Sequence, residues 1–239
     1  MPDPAPNPEL LRSLGRLARG LSALFWGLPV ALLVCAETAR AEWLKPLGIL
    51  PAIAVNALLL YALRLMSAFQ KQERIWRNAL DGACMLSLIN LGLSPFLYWW
   101  NKVPGQPFFL AMVVLMQICA LLFVGSLNLV LRRLGAMLPD EALRLDIKLF
   151  TTLNLNLLSL TFLFGLAAFL VGHAHELPLH FTTRNLPFFA QRIVGLIENN
   201  ELWLPLPLLL LPLATTMALL WKTKEVILDS VFGSKREGH

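Results

Sequence analysis

The chain has 239 residues, 57% of them hydrophobic and 15% charged, with a formal net charge of +5 and a mean hydropathy of +0.64. Soluble domains carry about a quarter charged residues, so this composition excludes an ordinary water-soluble fold. The basic balance does not indicate nucleic-acid binding either, because Lys and Arg flank long apolar runs instead of forming a basic domain.

Residues 1 to 9 carry Pro2, Pro4, Pro6 and Pro8 and are expected to form a disordered tail. From residue 10 to 225 the sequence predicts an all-α integral membrane domain. It contains six runs of the length a helix needs to cross the hydrocarbon core, about 20 residues. They lie near Leu17 to Ala36, Leu47 to Phe69, Ala79 to Trp100, Pro107 to Leu131, Leu149 to Gly172 and Leu202 to Trp221. Lipid cannot satisfy bare backbone N–H and C=O groups, and the short alternating strands of a β-barrel are absent, so each run is predicted helical. The first run, with its arginines and Ala39-Arg40-Ala41, has features of a secretory signal, but it is too long for one and is read as an uncleaved anchor.

Between the fourth and fifth runs, Pro139-Asp140-Glu141 predicts the start of a short cytoplasmic helix, with acidic groups complementing its dipole. The longest outer loop, His173 to Glu201, places Phe188, Phe189, Ile193, Leu196 and Ile197 on one helical face. That pattern predicts an amphipathic helix lying on the outer membrane surface. Residues 226 to 239 are expected to form a cytoplasmic tail.

Basic residues set the orientation. Every second connecting segment is rich in Lys and Arg, fourteen residues against five in the alternate loops. By the positive-inside rule both ends are expected in the cytoplasm of a multi-pass protein, in a bacterial-type inner membrane. Trp43, Trp76, Trp99, Trp100, Trp203 and Trp221 fall at or near run ends, as an aromatic belt requires. Internal repeats that would mark a transporter are not convincing. Leu11-Arg12-Ser13-Leu14-Gly15 resembles Leu131-Arg132-Arg133-Leu134-Gly135, but the two copies do not divide the runs into halves.

Little in the chain points to chemistry. Cys35, Cys84 and Cys119 lie within the runs without C-x-x-C spacing and read as packing residues. His173, His175, Glu176 and His180 are the candidate metal ligands, yet they lack the i, i+4 spacing of a helical H-E-x-x-H site and read better as a solvated loop. No cofactor is implied. No Asp or Glu falls near a predicted bilayer centre, and Arg64 can snorkel to the nearer surface.

The remaining candidates are uncharged polar residues in the runs: Asn90, Gln117, Asn128, Asn154, Asn156 and Thr161. They could line a substrate path or form helix interfaces, and interfaces are the preferred reading. Gln117 and Asn128 fall within about 20° of one another on one helix, and Ser87, Asn90 and Ser94 within about 60° on another. The fifth run has two opposed faces with polar residues, one with Asn154, Leu158, Thr161, Gly165, Ala168 and Gly172, the other with Thr152, Asn156 and Ser159. A central position in the bundle, covered on both sides, is therefore expected for it. Pro29, Pro51, Pro95, Pro205, Pro207 and Pro212 lie in the runs, and Pro95 and Pro212 are the expected kinks.

These features favour a non-catalytic subunit or scaffold whose partners are the lipid bilayer and other membrane subunits. The alternative is a transporter or channel for a small uncharged solute. An enzyme is not expected, for want of a paired catalytic Asp, a Ser/His pair or metal ligands at membrane depth.

Overall fold

A computed structural model describes residues 8–40, 44–69, 73–137, 141–172 and 205–232. All regular structure among them is helical. The helices are α1 (Pro8–Arg40), a 3-10 turn (Lys45–Leu47), α2 (Leu50–Met66), α3 (Arg74–Leu93), α4 (Pro95–Lys102), α5 (Pro107–Met137), α6 (Glu141–Gly172) and α7 (Pro205–Phe232). Four stretches are long and apolar enough to cross a membrane: Arg12–Arg40, Arg74–Lys102, Pro107–Met137 and Arg144–Ala167. The protein is thus a helical chain of membrane type. The outer loop and its expected amphipathic helix, with His173, His175, Glu176 and His180, lie outside the described residues, as do residues 1–7 and 233–239.

Helix ends follow local chemistry. α1 begins at Pro8, inside the segment expected to be a tail, because a proline at a helix start loses no hydrogen bond. Pro51 sits at the start of α2 for the same reason. Glu141 opens α6, which continues unbroken to Gly172, so the expected short helix is the first part of a long one. α7 continues to Phe232, past the expected beginning of the tail.

Contacts within the bundle pair α1 with α2, α3 with α5, α6 with α7, and α5 with α6. Leu17, Leu21, Leu24, Leu28 and Ala31 are buried along one stripe of α1. Their spacing of three and four residues keeps them on one face. Gly20 interrupts that stripe for a reason of space. A Cβ there would lie 2.7 Å from Met66 Cγ and 2.9 Å from the Ala62 carbonyl oxygen, so only glycine lets α1 and α2 approach this closely.

Two expectations about position are corrected. Trp76 is only 1% exposed, and its indole N–H donates to the Phe69 carbonyl at 3.1 Å. It ties α3 to the end of α2 instead of joining an aromatic belt, because nearness to a helix end in sequence does not decide which face a ring occupies. α6 does not have two covered faces. Thr151, Asn154 and Leu158 are buried, whereas Thr152, Asn156 and Ser159 are exposed, and a Cβ on Gly165 would meet nothing within 4 Å. α5 and α7 both pack on α6 from the Asn154 side, so the opposite polar face has no neighbour among the described residues.

Candidate functional site

Three helices bring polar side chains together in the interior. Thr216 of α7 stands at the centre. Its hydroxyl donates to the Pro212 carbonyl one turn earlier, at 2.7 Å. The same oxygen accepts Asn128 Nδ2 of α5 at 2.9 Å and Asn154 Nδ2 of α6 at 2.7 Å. One donor and two acceptor positions are all that a hydroxyl has, so Thr216 is fully used.

The orientation of both amides follows from their other partners. Asn128 Nδ2 also donates to the Val124 carbonyl at 2.8 Å, and Asn154 Nδ2 to the Pro212 carbonyl at 3.1 Å. A carbonyl can only accept, so nitrogen must face it, and each NH₂ thereby uses both of its protons. Both Oδ1 atoms are then left over. Asn128 and Asn154 are 0% exposed, and neither Oδ1 has a partner among the described residues. An unpaired buried acceptor costs about 1–3 kcal/mol, so two of them at one point call for explanation.

Proline shapes the same region. Pro212 has no N–H, which deprives the Leu208 carbonyl of its intrahelical donor. Thr161 of α6 places its hydroxyl 2.9 Å from that carbonyl, and 2.8 Å from its own Leu157 carbonyl, sharing one proton between them. Pro95 creates the same defect at Leu91. There the Ser94 hydroxyl donates to the Leu91 carbonyl at 2.8 Å from within the same stretch of chain.

The seam between α6 and α7 continues beyond the node. Asp146 pairs with Lys222, and both side chains are partly exposed. Thr223 stands level with this ion pair and Thr151 between the pair and the node; both are 0% exposed, and each has a hydroxyl with no partner among the described residues.

The sequence-predicted residues therefore separate into groups. Asn128, Asn154 and Thr161 belong to the α5–α6–α7 assembly. Asn90 is buried on α3 with an unpaired Oδ1 and is not bonded to the node. Gln117 and Asn156 are exposed. Gln117 shares a helical face with Asn128, but that face of α5 is covered at the height of Asn128 and open at the height of Gln117. Thr216, Thr151 and Thr223 were not singled out from sequence. The available signal was Thr216 standing four residues after Pro212, where its hydroxyl can reach back to the proline's own carbonyl.

A second polar place lies at the end of α4. Lys45, Tyr98, Asn101 and Lys102 line a cleft of about 240 Å³. Lys102 Nζ stands 5.9 Å from the Tyr98 ring centre and 5.8 Å from that of Trp99, and Asn101 Nδ2 donates to the Thr38 carbonyl at 3.0 Å. Cationic and aromatic groups in this combination suit a membrane–water boundary. Among the described residues, no three His, Cys, Asp or Glu side chains gather as metal ligands do. Comparison of the chain with protein-family models, with curated proteins and with solved structures gives no match.

Proposed function

We propose that the chain is a non-catalytic subunit of a membrane complex and that the outer face of α6 docks against another membrane protein. The observation that carries this reading is the position of Asn156. It lies close to the middle of the candidate span Arg144–Ala167 and is exposed, with no hydrogen-bond partner among the described residues. A primary amide facing hydrocarbon loses its hydrogen bonds to water without replacement, and a partner helix offering a polar group restores them. Thr152 and Ser159 share its face but return their hydroxyls to the Lys148 and Leu155 carbonyls at 3.0 and 2.9 Å. Asn156 alone in that row needs an external partner.

In this reading the spans are α1, α2, α3 with α4, α5, α6 and α7. Both ends lie in the cytoplasm of a cell with a bacterial-type inner membrane. The asymmetry of the basic residues supports the orientation. Cysteine labelling at position 74 and at position 102 should report opposite sides, and labelling from one side at both overturns it.

The docking reading is tested by replacing Asn156 with Leu and purifying the protein in mild detergent. The variant is expected to fold with unchanged thermal stability but to lose the companion protein or second copy that accompanies the parent. A parent that runs as a lone monomer in native lipid nanodiscs overturns it. The alternative, passage of a small uncharged solute, draws support from the unpaired amide oxygens beside Pro212 of α7. Solute-dependent flux in reconstituted vesicles that vanishes in Asn154→Leu would replace the first reading with this one.

A further inference from the structure

The unpaired buried oxygens follow a route. α6 and α7 run antiparallel in a register fixed at three places: Asp146 with Lys222, Asn154 with Thr216, and Thr161 with Leu208. That register sets Thr223 at the height of Asp146. Thr151 then stands between the ion pair and the node, about 7.5 Å beyond Asp146 and about 4.5 Å short of Asn154 at 1.5 Å per residue. From the ion pair inward, the order is Thr223 Oγ1, Thr151 Oγ1, Asn154 Oδ1 and Asn128 Oδ1. All four residues are 0% exposed, and none of these atoms has a partner among the described residues.

We infer that a file of water molecules occupies the α6–α7 seam, running from the Asp146–Lys222 pair to the two amide oxygens of the node. The chemistry of the node selects the ligand. Both NH₂ groups and the Thr216 hydroxyl have spent their protons, so the node offers acceptors alone and requires a donor. It carries no formal charge, and Asp146, the acidic group nearest along α6, is engaged by Lys222. A neutral, compact, double donor fits these terms, and water is the smallest. Buried waters make about three hydrogen bonds each. The rises of about 7.5 Å from Asp146 to Thr151 and about 4.5 Å from Thr151 to Asn154 along the α6 axis are of the length that one or two waters bridge. The partly exposed ion pair gives the file its mouth.

The test uses the full chain, isotope-labelled, in lipid bilayers. Solid-state NMR is expected to show magnetisation passing from water to the side-chain NH₂ groups of Asn128 and Asn154. Those protons should exchange into D₂O at least about tenfold faster than the buried backbone amides of Leu127 and Leu131, whose exchange requires opening of the helix. Replacing both Thr151 and Thr223 by Val should slow exchange at Asn154 by about the same factor while leaving the backbone pattern intact. Side-chain amides as protected as the backbone, with no transfer from water, overturn the inference. Unchanged exchange in a folded double variant overturns the route. Should that variant fail to fold, water contact at the Thr151 and Thr223 hydroxyls of the unaltered protein decides the matter, and its absence counts against the file.

Discussion

Pro95 opens α4 and Pro212 lies within α7, and each leaves one backbone carbonyl without its intrahelical donor, yet the two repairs come from different places. At Pro95 the preceding Ser94 turns its own hydroxyl onto the Leu91 carbonyl. At Pro212 the Leu208 carbonyl is met by Thr161 from a neighbouring helix. The first defect is self-contained. The second exists in satisfied form only when α6 lies alongside α7. Identical chemistry therefore serves a bend in one case and a joint in the other. A joint has a consequence for assembly that a bend lacks.

The strongest way to calibrate this comparison is a contact made by shape alone. Gly20→Leu drives a side chain into the Ala62 carbonyl, which as backbone cannot move aside. The expected loss is about 3 kcal/mol, at the upper end of overpacking, read as reduced recovery of folded protein and a lower midpoint in detergent unfolding. Thr161→Val comes next. It removes the external donor from Leu208 and should cost about 1 kcal/mol, accompanied by faster backbone exchange in α7 around Pro212. Ser94→Ala should cost about 0.5 kcal/mol, with changes confined to the α3–α4 bend. A Ser94→Ala loss larger than that of Thr161→Val would reverse the distinction between bend and joint. Gly165→Leu is expected to change stability by no more than about 0.5 kcal/mol, because the added side chain enters open space. A large loss there would mean that a neighbour covers that face.

Much of the architecture was legible from the chain. Long apolar runs mark the helices because lipid leaves a backbone few alternatives, and proline marks the bend at Ser94–Pro95 for steric reasons that need no partner. Asn128 and Asn154 were also visible as polar residues within the runs. Thr216 was not. A threonine in an apolar helix gives no sign of its partners, and its central place depends on the register of α7 against both α5 and α6. The two polar faces of α6 show the opposite difficulty. The periodicity that separates Asn154 from Asn156 is correct, but a sequence cannot say whether a second neighbour exists. Among the described residues only the Asn154 side has one. Trp76 follows the same rule, since its position near a helix end concealed a buried face.

The Thr161 hydroxyl on the Leu208 carbonyl bears on how the chain is made. Synthesis proceeds from the N-terminus, so in the proposed six-span arrangement α6 enters the membrane before α7. When α7 then arrives with the Leu208 carbonyl that Pro212 leaves without a donor, the hydroxyl that satisfies it is already in place. In the reverse order, α7 would have to hold an unsatisfied backbone acceptor in lipid until help came. A circular permutant that delivers residues 205–232 ahead of α6 should therefore insert that helix less efficiently at the translocon, and Pro212→Leu should restore its insertion.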